Sequence, residues 1–208
     1  WVGIRPVVVH GGGPQISARL AELGIQSEFR GGFRVTTDET ISVVRDVLRE
    51  EISAELAELI QAAGAETVVM SGEDANLFRA EKTTLDTEEG PVDIGLVGEV
   101  TQVNPRIVLE ALEAGRVPVV STVAPTTGGE LLNVNADLAA AALAVALGDK
   151  WLKCRCRHVV IAIDFLNPTT RGFSLCRGYE LRLAWADAND LFGFTPEPNP
   201  HRVPSLFE

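Results

Sequence analysis

The sequence predicts an α/β fold in which helices cover both faces of a mainly parallel central sheet. Three short runs rich in valine, at residues 4–9, 67–70 and 117–121, have the uniformly apolar character of buried strands. Segments with apolar residues at helical spacing separate these runs. Strands that alternate with helices are typical of parallel sheets covered on both sides. We therefore expect an αβα sandwich.

A glycine-rich loop, His10-Gly11-Gly12-Gly13, follows the first predicted strand directly. Pro14 comes next, and proline is favoured as the first residue of a helix. Apolar residues then continue at helical spacing until Gly24, which is predicted to end the helix. The local order is therefore strand, glycine loop and helix.

The remaining elements are predicted from caps, periodicity and turn residues. A long amphipathic helix begins at the capping-box pair Thr36 and Glu39 and ends at Gly64. After the strand at residues 67–70 we expect a hairpin over residues 76–103, a helix from Asn104-Pro105 to Gly115, the strand at residues 117–121, and an alanine-rich helix from Asn135 to Leu147 that ends at Gly148.

Composition excludes several classes of protein. Of the 208 residues, 46% are hydrophobic, which suffices for a packed core. The net charge of -11 argues against a nucleic-acid or anionic membrane surface, since both require excess Lys and Arg. No uninterrupted apolar run reaches the roughly 18 residues that span a bilayer. The three cysteines are too few for a disulfide framework, so we expect a reducing cytoplasm.

The chain changes character near Gly148. Residues 1–148 contain 10 Lys and Arg against 22 Asp and Glu, whereas residues 149–208 contain 8 against 7. All three cysteines lie in the second part, which also contains the proline-rich stretch at residues 195–200. We therefore expect two parts, a folded domain at 1–148 and an atypical tail at 149–208. The only methionine is Met70, so we expect the chain to begin inside a larger reading frame.

The glycine loop has two interpretations of about equal weight. Three glycines at a helix N-terminus can bring unpaired amides close to a phosphate or carboxylate. They can also serve only to shape a tight turn. The dinucleotide fingerprint, the nucleotide P-loop ending and the esterase G-x-S-x-G elbow are all absent from the sequence. A hydrolase is therefore disfavoured, and an anion site and a simple turn remain.

Four segments together resemble the acetylglutamate kinases of the amino-acid kinase family. They are Val7–Ile16, Gly31–Thr36, Asp93–Val100, and Asn133-Val134-Asn135-Ala136-Asp137 with the alanine-rich helix after it. Their order and spacing are similar to those of the family, and the resemblance covers about residues 5–148. It implies the amino-acid kinase αβα sandwich, and phosphoryl transfer from ATP with Mg²⁺ to the side-chain carboxylate of N-acetyl-L-glutamate in arginine biosynthesis.

The resemblance also implies roles for individual residues. The amides of Gly12 and Gly13 would hold the reacting carboxylate and then the phosphoryl oxygens, with Gly11 in support. Arg34 would take the substrate α-carboxylate in a bidentate pair, although an exposed arginine would be the ordinary interpretation. Asn133 would bind the acetylated end of the substrate.

The helix after Asn133 carries two further candidates. Asn135 would support the loop, but helix capping explains it equally well. Asp137 would organise the catalytic lysines, although a carboxylate in a first helical turn is favourable in any case. His10 is expected to be a packed loop residue and not a base, because an ionised carboxylate has no proton to remove.

Several family features are not visible in this sequence. The family's two catalytic lysines have no counterpart, since the chain contains only Lys82, Lys150 and Lys153. We therefore expect a truncated fold without the first strand, and a tail that replaces the ATP-binding half through a shifted reading frame or mis-splicing. A metal site at Cys154, Cys156 and His158 is disfavoured by its spacing.

Three functions stay open. The chain is a kinase that is defective as given, a non-catalytic acetylglutamate-binding or regulatory module, or a sibling kinase acting on acetylaminoadipate. The resemblance also implies a homo-oligomer with contacts along the long helix, near residues 40–60. We expect poor solubility of the isolated chain, because sheet edges and apolar faces would be uncovered.

Overall fold

The computed structural model describes residues 4–87, 90–151, 157–165 and 179–184. Strands and helices alternate along this part of the chain, as predicted. In chain order the elements are β1 (Ile4–His10), α1 (Gly13–Glu22), β2 (Phe29–Arg30), β3 (Phe33–Arg34), α2 (Asp38–Asp46), a π-helical segment (Val47–Ile52), α3 (Ser53–Ala62), β4 (Thr67–Ser71), a 3₁₀ turn (Asp74–Asn76), β5 (Phe78–Thr87), β6 (Gly90–Val103), α4 (Arg106–Glu113), β7 (Val117–Ser121), β8 (Val123–Pro125), β9 (Leu131–Val134), α5 (Ala136–Trp151), β10 (Arg157–Phe165) and β11 (Tyr179–Ala184).

The central sheet has five described strands in the order β11-β10-β1-β7-β4. Strand β1 pairs in parallel with both β7 and β10, and β7 pairs in parallel with β4. Only β11 is antiparallel to its neighbour. The three strands predicted from valine-rich runs are therefore adjacent, and their carboxyl ends lie at one edge of the sheet, where open α/β sheets bind ligands.

Helices cover both faces of this sheet. On β1, Val7 and Val9 belong to one hydrophobic cluster and Val8 belongs to the other, because successive side chains of a strand point to opposite faces. The cluster around Val8 contains residues of α1, α2, the π-helical segment and α3, whereas the cluster around Val7 contains residues of α4, α5 and the β5–β6 hairpin. The predicted αβα sandwich is confirmed.

The long predicted helix is interrupted by the π-helical turn and begins at a different cap. Thr37, not Thr36, is the N-cap: the Thr40 amide donates to Thr37 Oγ1 at 3.3 Å, and the Thr37 amide donates to Thr40 Oγ1 at 2.8 Å. Thr36 lies one residue earlier and is completely buried. The predicted pair of Thr36 and Glu39 is therefore wrong by one position, because two adjacent threonines offer the same capping chemistry.

A second sheet contains the predicted hairpin and contributes residues to the hydrophobic cluster around Val7. Its strands have the order β5-β6-β9-β8, of which β8 and β9 were not predicted because they contain only three and four residues. An isolated parallel bridge joins Thr36 to Gly95 of β6. This bridge connects the chain just before α2 to the hairpin.

The structure differs from the predicted boundary near Gly148 in two respects. Helix α5 continues past Gly148 to Trp151, and β10 pairs in parallel with β1 along seven residue pairs. Part of the tail therefore extends the central sheet. The division into a domain at 1–148 and a replacement tail stays a prediction, and Cys154, Cys156 and Cys176 lie outside the described residues.

Candidate functional site

The glycine loop lies at the carboxyl end of β1 and leads directly into α1. The amide of Ile16 donates to Gly12 O at 2.9 Å, which places Gly12 at the N-cap of α1. The amides of the first helical turn have no acceptor within the helix, and that end of the helix has partial positive charge. The loop therefore presents donors where an anion can approach.

Gly12 and Gly13 are glycines for different reasons. Neither has a φ in the left-handed region, so backbone strain does not require glycine at either position. A Cβ on Gly12 would overlap Ile52 Cδ1 and lie 3.0 Å from Leu48 Cδ2, so the π-helical segment packs against this residue. A Cβ on Gly13 would have no neighbour within 4 Å. Close packing against the π-helical segment thus accounts for the glycine at position 12, whereas Gly13 faces open space.

His10 is completely buried and contacts the backbone of the glycine loop. Its Nε2 lies 2.8 Å from Ser53 Oγ, and its Nδ1 lies 3.1 Å from Gly11 O. Burial lowers the pKa of His10 to about 4, so the imidazole is neutral at pH 7. The predicted role as a packed loop residue agrees with this geometry.

Arg34 is buried, with 6% of its surface exposed, and its guanidinium contacts the N-terminus of α1. Nη2 donates to Gly13 O and to Ser17 Oγ, both at 2.7 Å, and Nη1 donates to Ser27 Oγ at 2.6 Å. The guanidinium also lies 4.5 Å from the centre of the Phe29 ring. The sequence alone favoured an exposed arginine, whereas the structure places Arg34 against the glycine loop.

No carboxylate among the described residues forms an ion pair with Arg34. Burial lowers the pKa of the guanidinium, and no negative charge among the described residues offsets this effect. A buried cation without a counter-ion is costly, and an anionic ligand would compensate it. Both hydrogens of Nη2 are already donated, so a bidentate pair through Nη2 requires one of these two bonds to be released.

A short chain of hydrogen bonds connects Arg34 to Asn133. Thr36 Oγ1 donates to Arg34 O at 3.2 Å, and Asn133 Nδ2 donates to Thr36 Oγ1 at 3.3 Å. Asn133 lies on β9, 97 positions from Thr36 along the chain. The structure thus brings together three of the predicted site segments: the glycine loop, Arg34 and Asn133.

The two residues after β9 have distinct surroundings. Asn135 is exposed, and its Oδ1 accepts a hydrogen bond from the Leu138 amide at 3.1 Å. Asn135 therefore caps α5, which was one of its two predicted interpretations. Asp137 is half-buried in the first turn of α5, where the helix dipole favours a carboxylate.

Several supporting residues were not predicted from the sequence. Ser17 and Ser27 hold the guanidinium of Arg34, Ser53 contacts His10, and Thr36 connects Arg34 to Asn133. Single serines and threonines give no periodic signal, so only Ser17, four residues after Gly13 on the same helix face, could have been inferred.

Few side chains among the described residues could bind a metal or neutralise the charge of a transferring phosphoryl group. Lys82 Nζ lies 3.9 Å from Asp93 Oδ1 at an exposed position, as expected of a surface lysine. No group of three or more His, Cys, Asp or Glu side chains in the described ranges has the arrangement of a metal site. None of the helices in the described ranges is long and apolar enough to cross a membrane.

Residues 2–152 match the amino acid kinase family. The chain belongs to this family. Among curated family members it is 60% identical over 151 residues to the acetylglutamate kinase of Rhodococcus jostii (strain RHA1), with 73% of this chain and 49% of the relative covered. It is 61% identical over 154 residues to the acetylglutamate kinase of Nocardioides sp. (strain ATCC BAA-499 / JS614), at the same coverages. The chain spans about half the length of these relatives.

Solved structures share the amino acid kinase fold with this chain. A protein of Streptococcus mutans UA159, smu.665, superposes with a TM-score of 0.61 at 24% identity, over 71% of this chain and 69% of its own. The N-acetylglutamate synthase of Neisseria gonorrhoeae, complexed with coenzyme A and N-acetyl-glutamate, superposes with a TM-score of 0.51 at 17% identity, over 80% of this chain and 35% of its own. At these identities the likeness concerns the fold alone.

Proposed function

We propose that residues 1–148 form the N-acetyl-L-glutamate-binding half of an acetylglutamate kinase, and that the complete protein phosphorylates the substrate's side-chain carboxylate in arginine biosynthesis. The observation that carries this proposal is the buried, uncompensated guanidinium of Arg34 against the N-terminus of α1. A dicarboxylate with one acylated amine provides anionic groups for both features. The similarity to curated acetylglutamate kinases supports the same substrate.

In this proposal each contact has a separate task. The amides at Gly12 and Gly13 bind the carboxylate that receives the phosphoryl group, and then stabilise the charge that develops on the transferred oxygens. Arg34 neutralises the α-carboxylate, and Asn133 binds the N-acetyl group, because an amide both donates and accepts. Catalysis by these residues is positioning and charge stabilisation, without proton abstraction. Asp137 orients catalytic lysines in the complete protein.

ATP is the phosphoryl donor in this proposal, and Mg²⁺ accompanies it. The described residues include no cluster of potential Mg²⁺ ligands, and Lys82 lies at an exposed position beside Asp93. We therefore expect this chain to bind N-acetyl-L-glutamate without phosphorylating it. For the complete protein we propose a homo-oligomer in a reducing cytoplasm, with contacts along α2 and α3. Leu59 of α3, which is 43% exposed, supports that surface.

Calorimetry with N-acetyl-L-glutamate tests the substrate assignment. Arg34→Ala is expected to weaken binding by about 10- to 100-fold, the range of a lost hydrogen bond to a charged group. Arg30→Ala is the matched control, because Arg30 is exposed and pairs with Glu28 at 2.7 Å, so its loss should change affinity less than about twofold. Equal affinities for the two variants, or no binding by the unmodified chain, would refute the assignment.

Two further measurements separate the remaining alternatives. Titration with acetylaminoadipate tests the sibling substrate, for which one extra methylene changes the binding free energy by about 1–3 kcal/mol. A coupled assay with ATP tests turnover. Phosphorylation by this chain alone would contradict the expected defect. Binding without turnover by the complete protein would favour the non-catalytic regulatory module, the alternative that the sparse lysines of this chain suggest.

A further inference from the structure

We propose that His10 is a positioning residue that holds the peptide between Gly11 and Gly12 with the Gly12 N–H facing the candidate anion site. This inference rests on the proposed function, since that function gives the amide its ligand. It concerns a group that does not touch the substrate and acts through the backbone of the loop.

The His10 ring has one hydrogen-bond partner at each of its two nitrogens. The imidazole lies between Gly11 O, at 3.1 Å from Nδ1, and Ser53 Oγ, at 2.8 Å from Nε2. Ser53 Oγ also lies 2.9 Å from Leu48 O, across the π-helical turn. Because the ring is completely buried and neutral at pH 7, it carries a single N–H.

The hydrogen bond to Gly11 O selects one tautomer. Gly11 O can only accept, so Nδ1 must be the protonated nitrogen that donates to it. Nε2 is then the acceptor, and the Ser53 hydroxyl donates to it. The single hydroxyl hydrogen of Ser53 is then donated to Nε2 in place of Leu48 O, which still accepts the backbone N–H of Ser53. The opposite tautomer would place the Nδ1 lone pair 3.1 Å from the carbonyl oxygen of Gly11.

The peptide geometry carries this constraint to the other side of the loop. The peptide bond is planar and trans, so its C=O and N–H point in opposite directions. With Gly11 O directed at the imidazole, the Gly12 N–H points away from it. No described residue accepts a hydrogen bond from that N–H, whereas a flipped peptide would direct it at the Nδ1–H donor. The Ser53–His10 pair thus keeps one donor of the loop available to a ligand.

Nitrogen NMR of the unmodified chain tests the tautomer without any substitution. Labelled histidine is expected to show a protonated Nδ1 and an unprotonated Nε2 for the buried ring at pH 7. A protonated Nε2 or a cationic ring would overturn the proposal. This readout is independent of substrate, so it distinguishes failure of the positioning role from failure of the proposed function, which an absence of N-acetyl-L-glutamate binding would indicate.

A matched pair of variants tests the consequence for binding. In His10→Asn the side-chain amide nitrogen occupies the position of Nδ1, and in His10→Gln it occupies the position of Nε2. We expect His10→Asn to bind N-acetyl-L-glutamate within about threefold of the unmodified chain, and His10→Gln to bind about 10-fold more weakly. Equal weakening by both variants, or tight binding by His10→Gln, would overturn the proposal.

The amide itself provides the final readout. In glycine-labelled protein, the Gly12 N–H resonance is expected to shift on addition of N-acetyl-L-glutamate in the unmodified chain and in His10→Asn, but not in His10→Gln. A general loss of packing would affect His10→Asn and His10→Gln alike, so it would not preserve the shift in only one of them. A shift of equal size in all three proteins would overturn the proposal.

Discussion

Replacement of Gly95 by alanine should destabilise the protein far more than an ordinary surface substitution. Gly95 has a φ of +79°, which disfavours any residue with a Cβ. The added Cβ would also overlap the backbone oxygen of Thr36, which cannot rotate away as a side chain can. Both backbone bonds of this bridge are at risk: Thr36 N donates to Ile94 O at 3.1 Å, and Leu96 N donates to Thr36 O at 2.6 Å.

The expected loss of unfolding free energy has two parts, the strain of a Cβ at this positive φ and the weakening of the two backbone hydrogen bonds. Alanine in the left-handed region costs about 1–2 kcal/mol. Two weakened backbone hydrogen bonds cost about 1 kcal/mol each. The free energy of unfolding should therefore fall by about 3–4 kcal/mol, a large part of the 5–15 kcal/mol that is typical of a domain.

Urea denaturation followed by circular dichroism measures this loss, and Gly115→Ala is its matched control. Gly115 has nearly the same φ, +75°, but a Cβ there would meet no atom within 4 Å. The control should lose only the conformational part, about 1–2 kcal/mol. Equal losses in the two variants would refute the role of the Thr36 contact, since backbone strain alone would then explain Gly95.

Two other predictions concern buried polar groups. Because the folded-state pKa of His10 is lowered from 6.5 to about 4, the neutral ring contributes fully to stability above pH 6.5, and this contribution is lost as the pH falls towards 4. The free energy of unfolding should decrease by about 3 kcal/mol across this interval, and His10→Asn should abolish that part of the slope in urea titrations. Ser121 Oγ is buried without a described partner, so Ser121→Ala should leave the free energy of unfolding unchanged or raise it by up to about 1 kcal/mol. Thr122→Val, which removes a hydroxyl that donates to Val134 O at 2.9 Å, should lower it by about 1 kcal/mol, and the reverse order would contradict the assignment.

The sequence predicted β1, β4 and β7 of the central sheet because these strands are short, apolar and separated by clear helical patterns, whereas β10 and β11 were not predicted. Because residues 7–9 are all valine, the sequence predicts that both faces of β1 are buried. Only the structure shows which valine faces which helices. The π-helical turn was not predicted, since its apolar residues fit an ordinary helix equally well. Its residues Leu48 and Ile52, and Ser53 directly after it, lie against the glycine loop, which spacing along the chain does not reveal.

Predictions for the candidate site were weaker where a residue has a common structural role. Glycines at positions 12 and 13 appear equivalent in sequence, but one packs against a helix and the other faces open space. Arg34 could not be recognised as buried from its neighbours, because its partners Ser17 and Ser27 have no distinctive pattern. The resemblance to a family supplied these residues, whereas spacing and periodicity did not.

The bond between Asn133 and Thr36 has a consequence for the order in which the protein folds. The contact closes a loop of 97 positions, so we expect it to form late in folding. Arg34 and the glycine loop, by contrast, are 21 positions apart and can meet early. A ligand that contacts both Arg34 and Asn133 therefore binds only a chain that is already nearly native. Such a ligand slows unfolding and leaves the rate of folding almost unchanged.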